Sequence, residues 1–206
     1  MRPDRWAEAI VHLRGADPRW HPLIERVGPC SLRPRRDRFG TLVRAIIGQQ
    51  ISTRAAATID ARLRTLAGDP HRPESLIAVG EAGLRACGLS GVKARYVLNL
   101  SEAVQSGRVP LTRIGTLEDD AIKAHLTAIK GIGPWTAEMF LVFCLNRRDI
   151  LSVGDLGVRV GLREFHGLAE DPSPAECVRL AEPWRPFRSV AMWYLWRSLD
   201  TPKNSP

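Results

Sequence analysis

The chain is 206 residues long, 44% apolar and 25% charged, which is enough to bury one core and excludes a disordered polymer. The longest apolar stretch near the C-terminus, Ser189 to Leu199, is broken by charge and too short to span a bilayer. The formal net charge of +8, carried mainly by arginine, points to a polyanion as partner, and nucleic acid is the commonest one.

Apolar residues recur at helical spacing almost throughout, and no segment alternates as a strand would. Asp4 is placed to cap a first helix carrying Trp6, Ile10 and Leu13. A short second helix follows Asp17 through Trp20, Leu23, Ile24 and Val27. After the basic, proline-rich turn Leu32 to Arg36, Asp37 opens a helix with Phe39, Leu42, Val43, Ile46 and Ile47 on one face. Ser52 caps the next, through Ile59, Leu63 and Leu66. Glu74 to Gly88 reads as one or two short helices, and Val92, Tyr96, Leu100 and Val104 line another, closed by Gly107. Asp119 to Ile129, Pro134 to Leu145, Leu156 to Phe165, and Pro174 to Leu199, interrupted at Pro183 and Pro186, complete an all-α fold of about ten helices. Met1 to Trp6 carries charge and proline where a secretory leader needs an apolar run, so a cytoplasmic protein is expected, nucleoid-associated if bacterial.

Cys30, Cys87, Cys144 and Cys177 stand singly, without the spacing of a zinc or iron–sulfur site, and are expected to be buried thiols. His12, His21, His71, His125 and His166 show neither metal spacing nor an evident partner and receive no role.

The richest stretch is Leu126-Thr-Ala-Ile-Lys-Gly-Ile-Gly-Pro-Trp-Thr-Ala137. One helix ends near Ile129, the chain turns through Lys130-Gly131-Ile132-Gly133, and Pro134 starts the next at the position that needs no donor. Glycines permit positive φ and keep Cβ atoms away from an approaching ligand. Ile132 is expected to plug the core, leaving backbone N–H groups at a helix N-terminus to meet a phosphate. Further on, Val153-Gly-Asp155-Leu places a carboxylate at the start of a helix, where by itself it reads as an N-cap.

These stretches in order resemble the helix-hairpin-helix DNA glycosylase superfamily (HhH-GPD). Asp17-Pro with Leu23-Ile24, Ile46-Ile-Gly-Gln-Gln-Ile-Ser52, Gly131 to Ala137, and Trp184-Arg-Pro-Phe-Arg-Ser189 running to Trp196 are most similar to its 3-methyladenine DNA glycosylase II branch. The resemblance implies a two-lobed fold with the active-site cleft between the lobes. One lobe would hold about 1–38 plus 150–206, the other about 39–149, with the hairpin at 119–145. The best-known bacterial form of the branch adds an N-terminal β-rich domain for which this chain has no room.

The resemblance assigns Asp155 as the catalytic carboxylate. Breaking an N-glycosidic bond builds positive charge on the sugar, and a carboxylate ~4 Å away stabilises it by roughly 4 kcal/mol at an effective dielectric near 20. Such a group also orients or deprotonates the attacking water. Strand-cleaving members carry a lysine two positions after the second hairpin glycine. Here that position is Trp135, which forms no Schiff base, so a monofunctional enzyme without lyase activity is expected.

Trp135 and Met139 share one helix face; the resemblance implies that they line the base pocket with Trp196, and aromatic faces favour cationic alkylated purines. Met139 stands where the family is often aromatic and offers less stacking. Trp6, Trp184 and Trp193 read as core. Base flipping leaves a gap, and the resemblance implies that a residue of the turn from Gly48 to Ser52, by position Gln50, is the wedge that fills it, with Gln49 structural. A glutamine pair between helices equally suits capping of backbone groups. Lys130, Gly131, Ile132, Gly133 and Thr136 would bind the DNA backbone, and Arg44, Arg54, Lys93, Lys130, Arg159 and Arg163 are phosphate candidates.

Expected, then, is a monomer acting on damaged double-stranded DNA and away from membranes. It would need no cofactor or metal beyond a candidate monovalent cation at the hairpin carbonyls. Its substrates would be 3-methyladenine, 7-methylpurines and related bases. The rival readings are a glycosylase for oxidised, deaminated or mismatched bases, and a non-catalytic DNA-binding module.

Overall fold

The computed structural model describes residues 5–200, and every regular element among them is helical. Two compact units divide the chain: one is Pro34–Leu145, and the other is formed by the segments on either side of it. The two-segment unit holds α1 (Ala7–Ala16), α2 (Trp20–Val27), α9 (Leu156–His166), α10 (Pro174–Ala181) and α11 (Arg188–Asp200). The other holds α3 (Arg38–Gly48), α4 (Thr53–Ala67), α5 (Pro73–Ala86), α6 (Gly91–Gln105), α7 (Asp119–Thr127) and α8 (Pro134–Met139). Asp4, the expected cap of α1, lies outside the described residues.

The caps explain most of the helix starts. Asp37 accepts from the amide of Gly40, Ser52 from that of Ala55 and Ser90 from that of Lys93, each satisfying an amide that the first turn cannot. Ser173 and Glu176 form a reciprocal capping box on α10. Proline at the first turn opens α5, α8 and α10.

One segment resolves as the sequence allowed, and one helix departs from the regular spacing that its apolar pattern predicts. α5 is kinked at Gly80, whose φ of 67° breaks the helical run, so the segment is two short helices in sequence. α8 was expected to continue to Leu145 but widens into a π-turn at Phe140–Cys144, where the amide of Leu145 donates to the carbonyl of Phe140 at 3.1 Å. Phe140, Leu141, Val142 and Cys144 are all buried, so this turn is packed on more than one face and a one-sided pattern did not reveal it.

Within Pro34–Leu145, Leu42, Val43, Ile46 and Ile47 of α3 join Ala94, Val97 and Leu100 of α6 in the buried core. In the two-segment unit the core is aromatic. Trp20 lies 4.3 Å from Phe165 and 5.1 Å from Trp184 between ring centroids, and Tyr194 donates from its hydroxyl to the carbonyl of Gly28. Each large side chain so buried contributes about 1.5–3 kcal/mol. Trp6, Trp184 and Trp193 are buried as expected, and Trp6 donates its indole N–H to Leu32. All four cysteines are buried thiols.

The segment leading to α9 is fastened to α11. The carbonyl of Arg148 accepts from the amide of Ser189. Asp149 receives Nε of Arg188 at 2.7 Å on one carboxylate oxygen and its Nη2 at 3.0 Å on the other. The amide of Ile150 donates to Ser189 Oγ and that of Ser152 to Met192 Sδ. These bonds give Arg188 and Ser189, the end of the Trp184 to Ser189 stretch, a structural task.

Candidate functional site

The hairpin joins α7 to α8 within Pro34–Leu145. Gly131 has φ of 108°, and a Cβ there would stand 2.2 Å from Cγ of Tyr96, so both backbone and space demand glycine. Gly133 differs from the expectation. Its φ is −92°, an ordinary value, and a Cβ would meet nothing within 4 Å. Glycine at 133 therefore keeps the ground in front of α8 clear rather than making the turn.

Ile132 is buried, and its amide already donates to the carbonyl of Ile129, which narrows the set of amides the turn can present. What the turn offers outward is the N-terminal end of α8, which favours an anion, beside the exposed Lys130. Thr136 is buried in the first turn of α8, whereas Trp135 is 46% exposed and Met139 is partly buried. Trp135 is therefore not a core tryptophan.

A second feature of this unit adjoins the hairpin. Gln49 Nε2 donates to the carbonyl of Gly131 at 2.9 Å. Gln50 is exposed and has φ of 55°, a left-handed conformation that glutamine rarely adopts. Such a conformation costs about 1–3 kcal/mol and persists only where its surroundings impose it.

Lys93 supplies part of that constraint. Its ammonium donates to the carbonyls of Ile47 at 2.8 Å and Gln49 at 2.5 Å, at the negative end of α3. Burial pushes the Lys93 ammonium down from its ordinary pKa. Lys93 was a phosphate candidate; it is instead the cap of this turn. A contact 46 residues away in sequence leaves no local signal to find it by.

Other basic candidates are also engaged. Arg44 pairs with Asp37, Arg163 with Asp171, and Arg159 donates to the carbonyl of Pro172. Lys130 and Arg54 are exposed. Among the histidines, His71 was given no partner, yet it is buried and its Nε2 lies 2.8 Å from Oδ1 of the partly buried Asp60. Burial raises the Asp60 carboxyl, but hydrogen bonds from His71 and Arg64 outweigh it and leave the group below its ordinary pKa. This cluster packs the 68–72 loop against α4.

Asp155 belongs to the two-segment unit. It is the N-cap of α9, with Oδ1 accepting from the amide of Val158 at 2.8 Å and from the indole Nε1 of Trp196 at 2.9 Å. Its residual exposure is 9%, so the carboxylate is nearly buried yet held by two donors. Burying a charge without such donors costs several kcal/mol. Trp196 is partly buried and makes this bond from its indole nitrogen.

A profile of the HhH-GPD superfamily base excision DNA repair proteins matches residues 43–186, spanning both the hairpin and Asp155. The chain belongs to the HhH-GPD superfamily. DNA-3-methyladenine glycosylase 1 of Schizosaccharomyces pombe is 34% identical over 197 residues, 93% of this chain and 86% of the relative. DNA-3-methyladenine glycosylase 2 of Escherichia coli is 32% identical over 170 residues, 78% of this chain and 57% of the relative. Among solved HhH-GPD structures, a 3-methyladenine DNA glycosylase of S. pombe in complex with abasic DNA superposes with a TM-score of 0.84. It is 33% identical and the match covers 97% of this chain and all of that one. The resemblance to the 3-methyladenine branch of the superfamily is thus borne out, as is the all-helical fold.

Proposed function

We propose that this HhH-GPD protein is a monofunctional DNA glycosylase. It hydrolyses the N-glycosidic bond of alkylated bases, 3-methyladenine and 7-methylpurines among them, and leaves an abasic site in duplex DNA. The observation that carries the proposal is Asp155, a nearly buried carboxylate fixed by two donors at the head of α9 in a chain that also bears the hairpin. The names of the relatives, and the abasic DNA bound by one of them, support the same reading.

Each residue has a duty in this reaction. The positive end of α8 and the exposed Lys130 hold phosphate, and Gly133 leaves room for it. Gln50, exposed on a strained turn, fills the gap left by the flipped base and hydrogen-bonds the orphaned partner. Trp135 and Met139 on α8 receive the alkylated purine, whose positive charge an aromatic face attracts by about 0.5–2 kcal/mol. As the glycosidic bond breaks, the Asp155 carboxylate faces the cationic sugar and directs the water that replaces the base. Alkylation has already weakened that bond, so the enzyme supplies positioning and charge rather than strong acid.

Trp135 occupies the place of the lyase lysine, and an indole is no amine nucleophile. The abasic site therefore leaves with its strand intact. No cofactor enters the reaction. The carbonyls of Ile129 and Gly131 each accept one hydrogen bond and keep a second lone pair; they would hold a monovalent cation, which would supply positive charge for a phosphate. Among the described residues no helix is long and apolar enough to cross a membrane.

The test uses duplex DNA carrying methylated purines, scored for free base and for alkali-labile sites. Base release without spontaneous strand scission, and no covalent adduct after borohydride, is the expected result. DNA binding without base release would make the protein a binding module. A borohydride adduct would overturn the monofunctional assignment, and release only from oxidised or mismatched duplexes would move the substrate class.

A further inference from the structure

Trp196 does more than its pocket assignment asks. Its indole N–H is committed to Asp155 Oδ1 at 2.9 Å, and the surrounding backbone is shaped to bring the two together. α9 carries Gly157 and Gly161 one turn apart on the side that meets α11. A Cβ on Gly157 would stand 2.9 Å from Cδ1 and 3.2 Å from Nε1 of Trp196, and a Cβ on Gly161 would stand 2.8 Å from Cβ of Leu195. Neither glycine has a positive φ, so both are required for space and not for conformation.

The segment before α9 adds a second constraint. It is bonded to α11 in rising register, from Asp149 on Arg188 through Ile150 on Ser189 and Ser152 on Met192. Asp155 on Trp196 is the last bond of that series.

We infer that Trp196 is a positioning residue for Asp155, and that the Gly157–Gly161 face of α9 exists to let its indole reach the carboxylate. The inference rests on the proposed role of Asp155. The bond has a chemical purpose there. A carboxylate that stabilises charge on a sugar gains from fixed orientation, because donors already in place cost no reorganisation as the reaction proceeds. The amide of Val158 donates from the same helix as the carboxylate, and the indole adds a donor from another helix. Phenylalanine at 196 would keep an aromatic face for a base but hold nothing.

The experiment compares Trp196→Phe, Gly157→Ala and the combined variant with the wild type on methylated duplex DNA under single-turnover conditions. Expected is a fall of about tenfold in the rate constant for each single variant, the loss of one hydrogen bond to a charged group. Affinity for DNA bearing an abasic-site analogue should be little changed. The combined variant should fall no further than either single one, because both remove the same bond. Wild-type rates in Trp196→Phe, or losses that multiply in the combined variant, would overturn the inference and leave Trp196 as a stacking surface.

A readout independent of turnover is the indole N–H resonance of Trp196 in ¹⁵N-labelled protein. It should be protected from solvent exchange in the wild type and lose that protection in Gly157→Ala and Asp155→Ala. Equal protection in all three overturns the inference. Should the wild type release no base, the proposed function fails on that result, and the resonance still decides whether Trp196 holds Asp155.

Discussion

Gln49 Nε2 donates to the carbonyl of Gly131 at 2.9 Å, a bond across 82 residues that ties the end of α3 to the hairpin turn. The two glutamines therefore have different tasks: the first anchors the hairpin and the second stands exposed. Replacing Gln49 by Leu should cost about 1 kcal/mol of stability, the net worth of one such bond. DNA affinity should fall several-fold with it, read by thermal melting and by fluorescence anisotropy. Unchanged affinity would show that the hairpin keeps its shape without this tie.

The hairpin glycines should separate folding from binding. Gly131→Ala meets both the Tyr96 ring and a φ of 108°, so it should lower the melting temperature and DNA affinity together. Gly133→Ala meets nothing within 4 Å, so it should melt near the wild type yet bind DNA more weakly. Equal affinity in Gly133→Ala and wild type would remove the phosphate from this turn.

Gln50→Gly relieves a left-handed φ of 55° and should stabilise the protein by about 1 kcal/mol. Base release from a paired lesion should nevertheless drop, about tenfold, since nothing fills the gap. The drop should shrink when the lesion sits in a mismatch or single strand, where flipping costs less. A uniform loss across these substrates would argue that Gln50 does not act as the wedge.

Asp155 combines cap and charge, and two substitutions divide them. Asp155→Asn keeps a side-chain acceptor for Val158 and Trp196, so stability should change little while base release falls roughly a hundredfold or more. Asp155→Ala should lose the same activity and about 1 kcal/mol of stability besides. Full activity in the asparagine variant would exclude Asp155 as the reacting carboxylate.

His166 sets a pH dependence of stability. Burial, followed by the nearby Arg19 guanidinium, lowers its pKa from the ordinary 6.5, with Arg179 adding to this and Asp17 opposing it. The unfolded chain therefore binds the proton more readily than the folded one. Stability is full above about 6.5 and declines as pH falls from there toward the folded-state pKa. Melting at pH 7.5 and 5.5 should show a larger drop for the wild type than for His166→Phe, which keeps the ring stacked against Trp184. Identical drops would assign the pH dependence to other groups.

Some of this protein is legible along the chain because it depends on neighbours within a turn or two. Asp37, Ser52 and Asp155 are capping residues next to apolar helical runs, and each caps its helix in the fold. Gly131 followed by Ile132 and Pro134 is a turn whose backbone conformation is readable from local sterics. The choice between one and two helices at Gly80, and the π-turn after Met139, were harder to read. Glycine inside a periodic segment signals only a weak point, and residues buried on several sides carry no single period.

What the sequence by itself determined is the set of helices, their starts, the hairpin, and, through resemblance, the family and the residues that would act. The tertiary structure alone decided what those polar side chains are bonded to. Lys93 became a helix cap instead of a phosphate ligand, Gln49 a tie to Gly131, and Trp196 the holder of Asp155. The reason is range. Caps and turns are satisfied by backbone a few residues away, whereas these three bonds span 44, 82 and 41 residues and exist only because packing brings their helices within 3 Å of one another's polar groups.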